Sequence, residues 1–129
     1  MIRGIGIDAV TISEFERLLE GPDNFAGYTF TERELSQSEG GQRSQKLAGC
    51  FAAKEAAFKA IAPLLPERTF DFRLIELLRN EDGSPTIARN DKTLALLEDA
   101  AITNLHVSLT NEGDLAMAFV IAEAVGAEE

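Results

Sequence analysis

The chain has 129 residues, 45% of them hydrophobic and 26% charged, with 22 Asp and Glu against 12 Lys and Arg and a formal net charge of −10. That composition describes one globular domain over residues 1–129; it excludes a disordered chain and argues against a protein that binds nucleic acid by neutralising its phosphates. A single cysteine, Cys50, excludes an internal disulfide, and neither a ~20-residue apolar run nor the apolar core of a signal peptide is found, so a cytoplasmic protein with no membrane span is expected.

Ile2, Ile5 and Ile7, interleaved with Gly4 and Gly6, predict a short apolar strand. Thr11 and Ser13 offer caps for a helix over Glu14–Glu20, Ser13 and Glu16 standing at capping-box spacing, and Gly21-Pro22 stops it before a loop over Pro22–Tyr28. Thr31 and Glu34 repeat the capping-box spacing ahead of a short helix through Leu35 that ends near Gly40-Gly41. From Ser44 to Pro63 an Ala-rich run with Leu47, Phe51, Phe58 and Ile61 predicts a long, central, buried helix. Phe70 to Leu78 reads as a strand, turned at Asp82-Gly83 into a second short strand around Thr86–Ala88. Asn90 or Asp91 caps a helix through Leu94, Leu97 and Ala101. Alternation from Leu105 to Thr110, a turn at Asn111–Asp114 and an apolar run over Leu115–Ala122 predict an antiparallel hairpin. The order implies an α+β fold, an antiparallel sheet packed against the long central helix.

Charge is unevenly spread: residues 61–129 hold 5 basic and 13 acidic side chains, whereas residues 1–60 hold 7 and 9. The first half contains the chemistry. Lys54, Glu55 and Lys59 are the only charges between Leu47 and Ala62. Lys54 falls on the stripe of Leu47, Phe51, Phe58 and Ile61, while Glu55 and Lys59 form an i,i+4 pair that reads either as a surface pair or as part of a site. Asp8 stands where a strand ends and a helix begins; it is either a turn residue or, with Glu55, one of two hard oxygen ligands for Mg²⁺ whose coordination a substrate phosphate and water would complete. The only histidine, His106, shares a strand face with Ser108 and Thr110. Cys50 reads as a small buried apolar residue and not a nucleophile. Gly4-Ile5-Gly6 lacks the third glycine of a dinucleotide-binding turn, and no Walker A sequence occurs.

Three segments in this order, Gly4-Ile5-Gly6-Ile7-Asp8, Phe51 to Ala60 and His106-Val107-Ser108-Leu109, resemble the holo-acyl-carrier-protein synthases, small phosphopantetheinyl transferases. Secondary matches are Phe30 to Leu35, Leu47-Ala48-Gly49 and Gly83-Ser84-Pro85, so the likeness covers nearly the whole chain. The resemblance implies transfer of 4′-phosphopantetheine from coenzyme A to a serine of an apo acyl carrier protein, releasing adenosine 3′,5′-bisphosphate, in fatty acid or related lipid or polyketide biosynthesis. It further implies Mg²⁺ held by Asp8 and Glu55, lysines Lys54 and Lys59 beside the pyrophosphate, His106 and Ser108 at the coenzyme cleft, and a homotrimer with each active site between two subunits.

Departures from the family pattern are Cys50 where an arginine is common, Ala62-Pro63-Leu64-Leu65 in place of Gly-Thr-Gly, Thr110-Asn111 in place of Ser-His, and Thr11 and Glu14 where Glu and Arg are usual. Glu14 reverses a charge that faces the acidic carrier helix, which implies a specialised, less acidic carrier. The alternative to an active transferase is a homologue without turnover that binds coenzyme A or serves as a scaffold.

Overall fold

The computed structural model describes residues 1–126. Its centre is helix α4, Arg43–Ile61, laid across one face of a three-stranded antiparallel sheet made of β1 (Ile2–Thr11), β4 (Asn104–Glu112) and β5 (Leu115–Glu123) in the order β1-β5-β4. A separate two-stranded ribbon pairs β2 (Leu77–Arg79) with β3 (Pro85–Ile87). The expected α+β architecture, with its hairpin of β4 and β5, is the one observed.

The small side chains of α4 explain how it reaches the sheet. Ala52, Ala53, Ala56, Ala57 and Ala60 are all buried and meet Ala116, Ala118 and Ala122 of β5 in one core. Opposite β1 the approach is closer still, because a Cβ on Gly4 or Gly6 would collide with the carbonyl oxygens of Ala60 and Ala56. Only glycine permits such contact of backbone with backbone. As β1 advances by two residues, α4 retreats by one turn, so Asp8, next on the helix-facing side, is delivered to the level of Phe51 and Glu55.

Helix α1 (Ile12–Glu20) begins two residues before the expected start, and the expected Ser13–Glu16 capping box does not form. Ser13 instead gives both its N–H and its hydroxyl to the Asp114 carboxylate in the β4–β5 turn, at 3.2 and 2.6 Å. Part of the expected loop over residues 22–28 is helix α2 (Phe25–Thr29). Phe25 packs edge-on against Phe15, Phe30 and Phe51, and this aromatic cluster overrides the helix-weakening Gly27. The Thr31–Glu34 capping box is present and starts α3 (Glu32–Gln37). Asn90, the first of the two candidates, caps α5 (Asp91–Asp99).

The expected strand over Phe70–Leu78 is a strand only at its end. A 3₁₀ turn occupies Phe72–Leu74, capped by Asp71, whose Oδ1 accepts the Arg73 N–H at 2.8 Å. The backbone groups of this stretch find side chains where a strand would find a neighbour: the carbonyls of Phe72 and Ile75 accept from Lys54, and the Leu77 N–H donates to Glu34.

Candidate active site

Asp8 ends the glycine-spaced face of β1, and Glu55 and Lys59 lie one turn apart on the part of α4 that flanks it. The Lys59 ammonium donates to Asp8 Oδ1 at 3.1 Å and to the Ile7 carbonyl at 2.9 Å, so the lysine leans over the strand and not back along its helix to Glu55. Asp8 and Glu55, together with Thr11, Glu14, Leu18 and Phe51, line an open cleft of about 310 Å³. Burial pushes the Glu55 carboxyl above the usual carboxylate range, the neighbouring Asp8 charge pushes it further, and Lys59 pulls it partly back. Two neighbouring carboxylates at the mouth of a cleft form a hard-oxygen donor set whose repulsion a divalent cation would relieve. Among the described residues no third His, Cys, Asp or Glu joins them in a metal-binding group. That leaves the remaining positions around such a cation to phosphate and water.

Lys54 occupies a different place from the one the resemblance implies. Its side chain has 0% exposure, and its three N–H donors are taken by Glu34 Oε1 at 2.9 Å and by the carbonyls of Phe72 and Ile75 at 2.8 and 2.6 Å. Nothing is left to offer a pyrophosphate. Glu34 is equally enclosed, accepting the Thr31 N–H on Oε1 and the Leu77 N–H on Oε2, both at 2.8 Å. The apolar stripe on which Lys54 falls was the available signal of its burial; for Glu34 the only signal was its place in a capping box. Cys50, buried beside this pair, has its thiol pushed up to about 12 by burial and by Glu34, as befits an unreactive thiol.

His106 and Ser108 lie on the face of the sheet turned away from α4. In the register, His106 faces Ile121, which faces Ile5, whereas Asp8 belongs to the Ala118 row, so His106 is two strands and three rows away, roughly 14 Å. One chain does not bring them to the Asp8 cleft. His106 Nε2 instead meets Glu123 Oε1 at 2.8 Å, and this bond holds the Glu123 carboxyl below its usual range. Glu123 is a partner that sequence reasoning missed, although its position next to His106 follows from the hairpin register. A larger recess of about 880 Å³ lies elsewhere, lined by Phe30, Thr31, Arg73 and Lys92 among others, and none of these candidate residues borders it.

The pattern of the 4′-phosphopantetheinyl transferase superfamily matches residues 4–120. A holo-acyl-carrier-protein synthase of Clostridium beijerinckii is 39% identical over 126 residues, covering 97% of this chain and 100% of that protein. The crystal structure of the holo-acyl-carrier-protein synthase of Neisseria meningitidis superposes with a TM-score of 0.82 at 33% identity, over 95% of this chain and 99% of that one. A relative from Chronobacterium ammoniagenes, solved as a complex with coenzyme A, superposes with a TM-score of 0.78 at 26% identity, over 95% and 98%. With its three motifs in place on a shared fold, the chain belongs to the 4′-phosphopantetheinyl transferase superfamily and, within it, to the holo-acyl-carrier-protein synthases.

Proposed function

We propose that the Asp8–Glu55–Lys59 cleft is where this chain transfers 4′-phosphopantetheine from coenzyme A to a serine of an apo acyl carrier protein. The observation that carries the assignment is the convergence of two carboxylates and one ammonium at a cleft formed by the best-matched segments. The serine oxygen forms a new bond to the β-phosphorus, the bond from that phosphorus to the bridging oxygen breaks, adenosine 3′,5′-bisphosphate departs and the hydroxyl proton is released. Asp8 and Glu55 fit Mg²⁺, which one or two carboxylates plus phosphate and water commonly hold, and which when bound supplies charge neutralisation to the diphosphate. Lys59 binds the same diphosphate and stabilises charge that develops on the leaving group. Lys54 holds α4 to the 3₁₀ turn and contacts no substrate.

The homotrimer belongs to this proposal, supported by the outer face of the sheet. Ile5, Ile7 and Phe119 are 59%, 65% and 41% exposed there, an apolar patch that a monomer in water would not favour. His106 and Ser108 share that face, so a second copy seated on it would receive them at its own cleft edge. Glu14 on the cleft rim favours a carrier less acidic than usual. A cytoplasmic setting is in keeping with this; no helix among the described residues is long and apolar enough to cross a membrane.

Intact-mass spectrometry of apo carriers of graded acidity, incubated with the protein, coenzyme A and Mg²⁺, tests the proposal. A chelator-sensitive gain of one phosphopantetheine is expected. Coenzyme binding without transfer to any carrier would overturn it in favour of the scaffold alternative, which none of the relatives named above supports. Equal rates on all carriers, with no response to salt, would remove the carrier specialisation alone.

A further inference from the structure

Beyond Lys59 the surface opens into a second cleft of about 330 Å³, lined by Phe58, Lys59, Ala62, Pro63 and Arg68. It occupies the stretch where Ala62-Pro63-Leu64-Leu65 stands in place of the family's Gly-Thr-Gly. Lys59 borders both clefts, since it lines this one and bonds Asp8 of the other. Their charges differ in sign. Asp8, Glu14 and Glu55 line the first, whereas Lys59 and Arg68 are the only charged residues lining the second.

Arg68 is held in place by its backbone. Its φ of 57° lies in the left-handed region that non-glycine residues rarely adopt, and its N–H donates to the Leu65 carbonyl at 3.1 Å. Strained backbone of this kind concentrates at functional positions. The turn returns the guanidinium to the Pro63 carbonyl, where Nη1 makes a long 3.5 Å contact. That is the single side-chain hydrogen bond of Arg68 among the described residues, and it has no ion-pair partner there, so most of its five donors remain uncommitted. The third N–H of Lys59 has no acceptor among the described residues either.

We propose that Arg68 is a substrate-binding residue, which with Lys59 grips the diphosphate of coenzyme A on the leaving-group side. The proposal rests on the reading of the Asp8 cleft above, and it assigns to Arg68 a binding role for which the site residues discussed so far provide no second accessible cation. A guanidinium fork matches two oxygens of one phosphate in a way that an ammonium does not. The diphosphate then spans the two clefts, its transferred phosphorus beside Asp8 and Glu55 and its leaving phosphate between Lys59 and Arg68.

Calorimetric titration of coenzyme A and of adenosine 3′,5′-bisphosphate into the intact protein and its Arg68→Gln and Arg68→Lys variants provides the test. Arg68→Gln should weaken both ligands about tenfold, the scale of one charge-assisted contact, and Arg68→Lys should recover part of the loss. In steady state kcat/KM for coenzyme A should fall at least in parallel, with the KM for the carrier within about twofold. Arg68 is exposed, so its variants are expected to melt with the parent protein. Unchanged affinity for both ligands in Arg68→Gln would overturn the proposal. Affinity that depends on Arg68 in a protein that modifies no carrier would uphold it while the transferase reading fails.

Discussion

Lys59 reaches away from Glu55, its partner four residues back on the same helix, and places its ammonium 3.1 Å from Asp8 Oδ1 on the neighbouring strand. The sequence offers the pair 55/59, and the fold selects 8/59. This cross-element bond ties the strand-borne carboxylate to the helix and leaves the Glu55 carboxylate without a direct salt bridge among the described residues, open to a cation.

Substitution of either carboxylate should therefore remove turnover without removing the fold. Asp8→Ala and Glu55→Ala should each lower kcat/KM at saturating Mg²⁺ by at least about 100-fold, the range seen when one preorganised electrostatic group is lost. Neither side chain belongs to the buried core, so the melting temperature should stay close to that of the parent. Parent-like activity in either variant would show that the metal lies elsewhere.

The Glu55 carboxyl provides a readout that does not depend on activity. Because its pKa is raised by burial and by Asp8 and lowered by Lys59, an NMR titration should find it moved further up in Lys59→Met and back down in Asp8→Asn. Only the carboxylate form can ligate the proposed cation, so a raised pKa means that acid would displace it at a higher pH than for an ordinary glutamate. Activity should fall with acidification from that higher point. Lys59→Met should also lose about 10- to 100-fold in kcat/KM, corresponding to about 1.5–3 kcal/mol for one charged hydrogen bond. If the Glu55 titration is insensitive to both substitutions, the three groups do not share one cleft.

Lys54, adjacent to Glu55 in sequence, should behave in the opposite way. Lys54→Met strands the Glu34 carboxylate and two carbonyls in the interior, and should destabilise the protein by about 3–5 kcal/mol in urea unfolding. The fraction that folds should bind coenzyme A with nearly parental affinity. Normal stability combined with weak coenzyme binding would return Lys54 to the phosphate site.

Cys50 yields a prediction at high pH. With its thiol near 12 in the folded state, against 9.0 for an ordinary thiol, the native protein should resist iodoacetamide at pH 8 and react fully once unfolded in urea. Above about pH 9 the unfolded chain releases this proton and the folded one retains it, so folding should weaken by up to about 1.4 kcal/mol per pH unit until the folded thiol itself ionises. A Cys50→Ala variant should lose that slope. Rapid alkylation of the native protein would mean that the thiol is reachable and ionised.

What the sequence discloses tracks how locally each feature is determined. The long Ala-rich helix, the Thr31–Glu34 box, the Asn90 cap and the β4–β5 hairpin each rest on residues within a few positions of one another, and all are found. The stretch 70–78 carries strand-like composition, yet its backbone partners Lys54 and Glu34 lie about 20 to 40 residues upstream, beyond the reach of pattern reasoning. Ser13 fails as a cap for the same reason, its partner Asp114 being 101 residues away. Around the candidate cleft, Asp8 and Glu55 share a lining and Lys59 bonds Asp8. Lys54 and His106 do not join them, because the family motif records which residues recur and not which way each one faces.

The glycine face of β1 has one more consequence. Where strand and helix touch through Gly4 and Gly6, the separation is set by the radius of a carbonyl oxygen, with no side-chain torsion between the two backbones. Asp8 and Glu55 are thus mounted on supports that cannot slide by rotamer change, and a cation demanding oxygens near ~2.1 Å tolerates little play. A single added methyl group at position 6 would separate the two carboxylates without touching either.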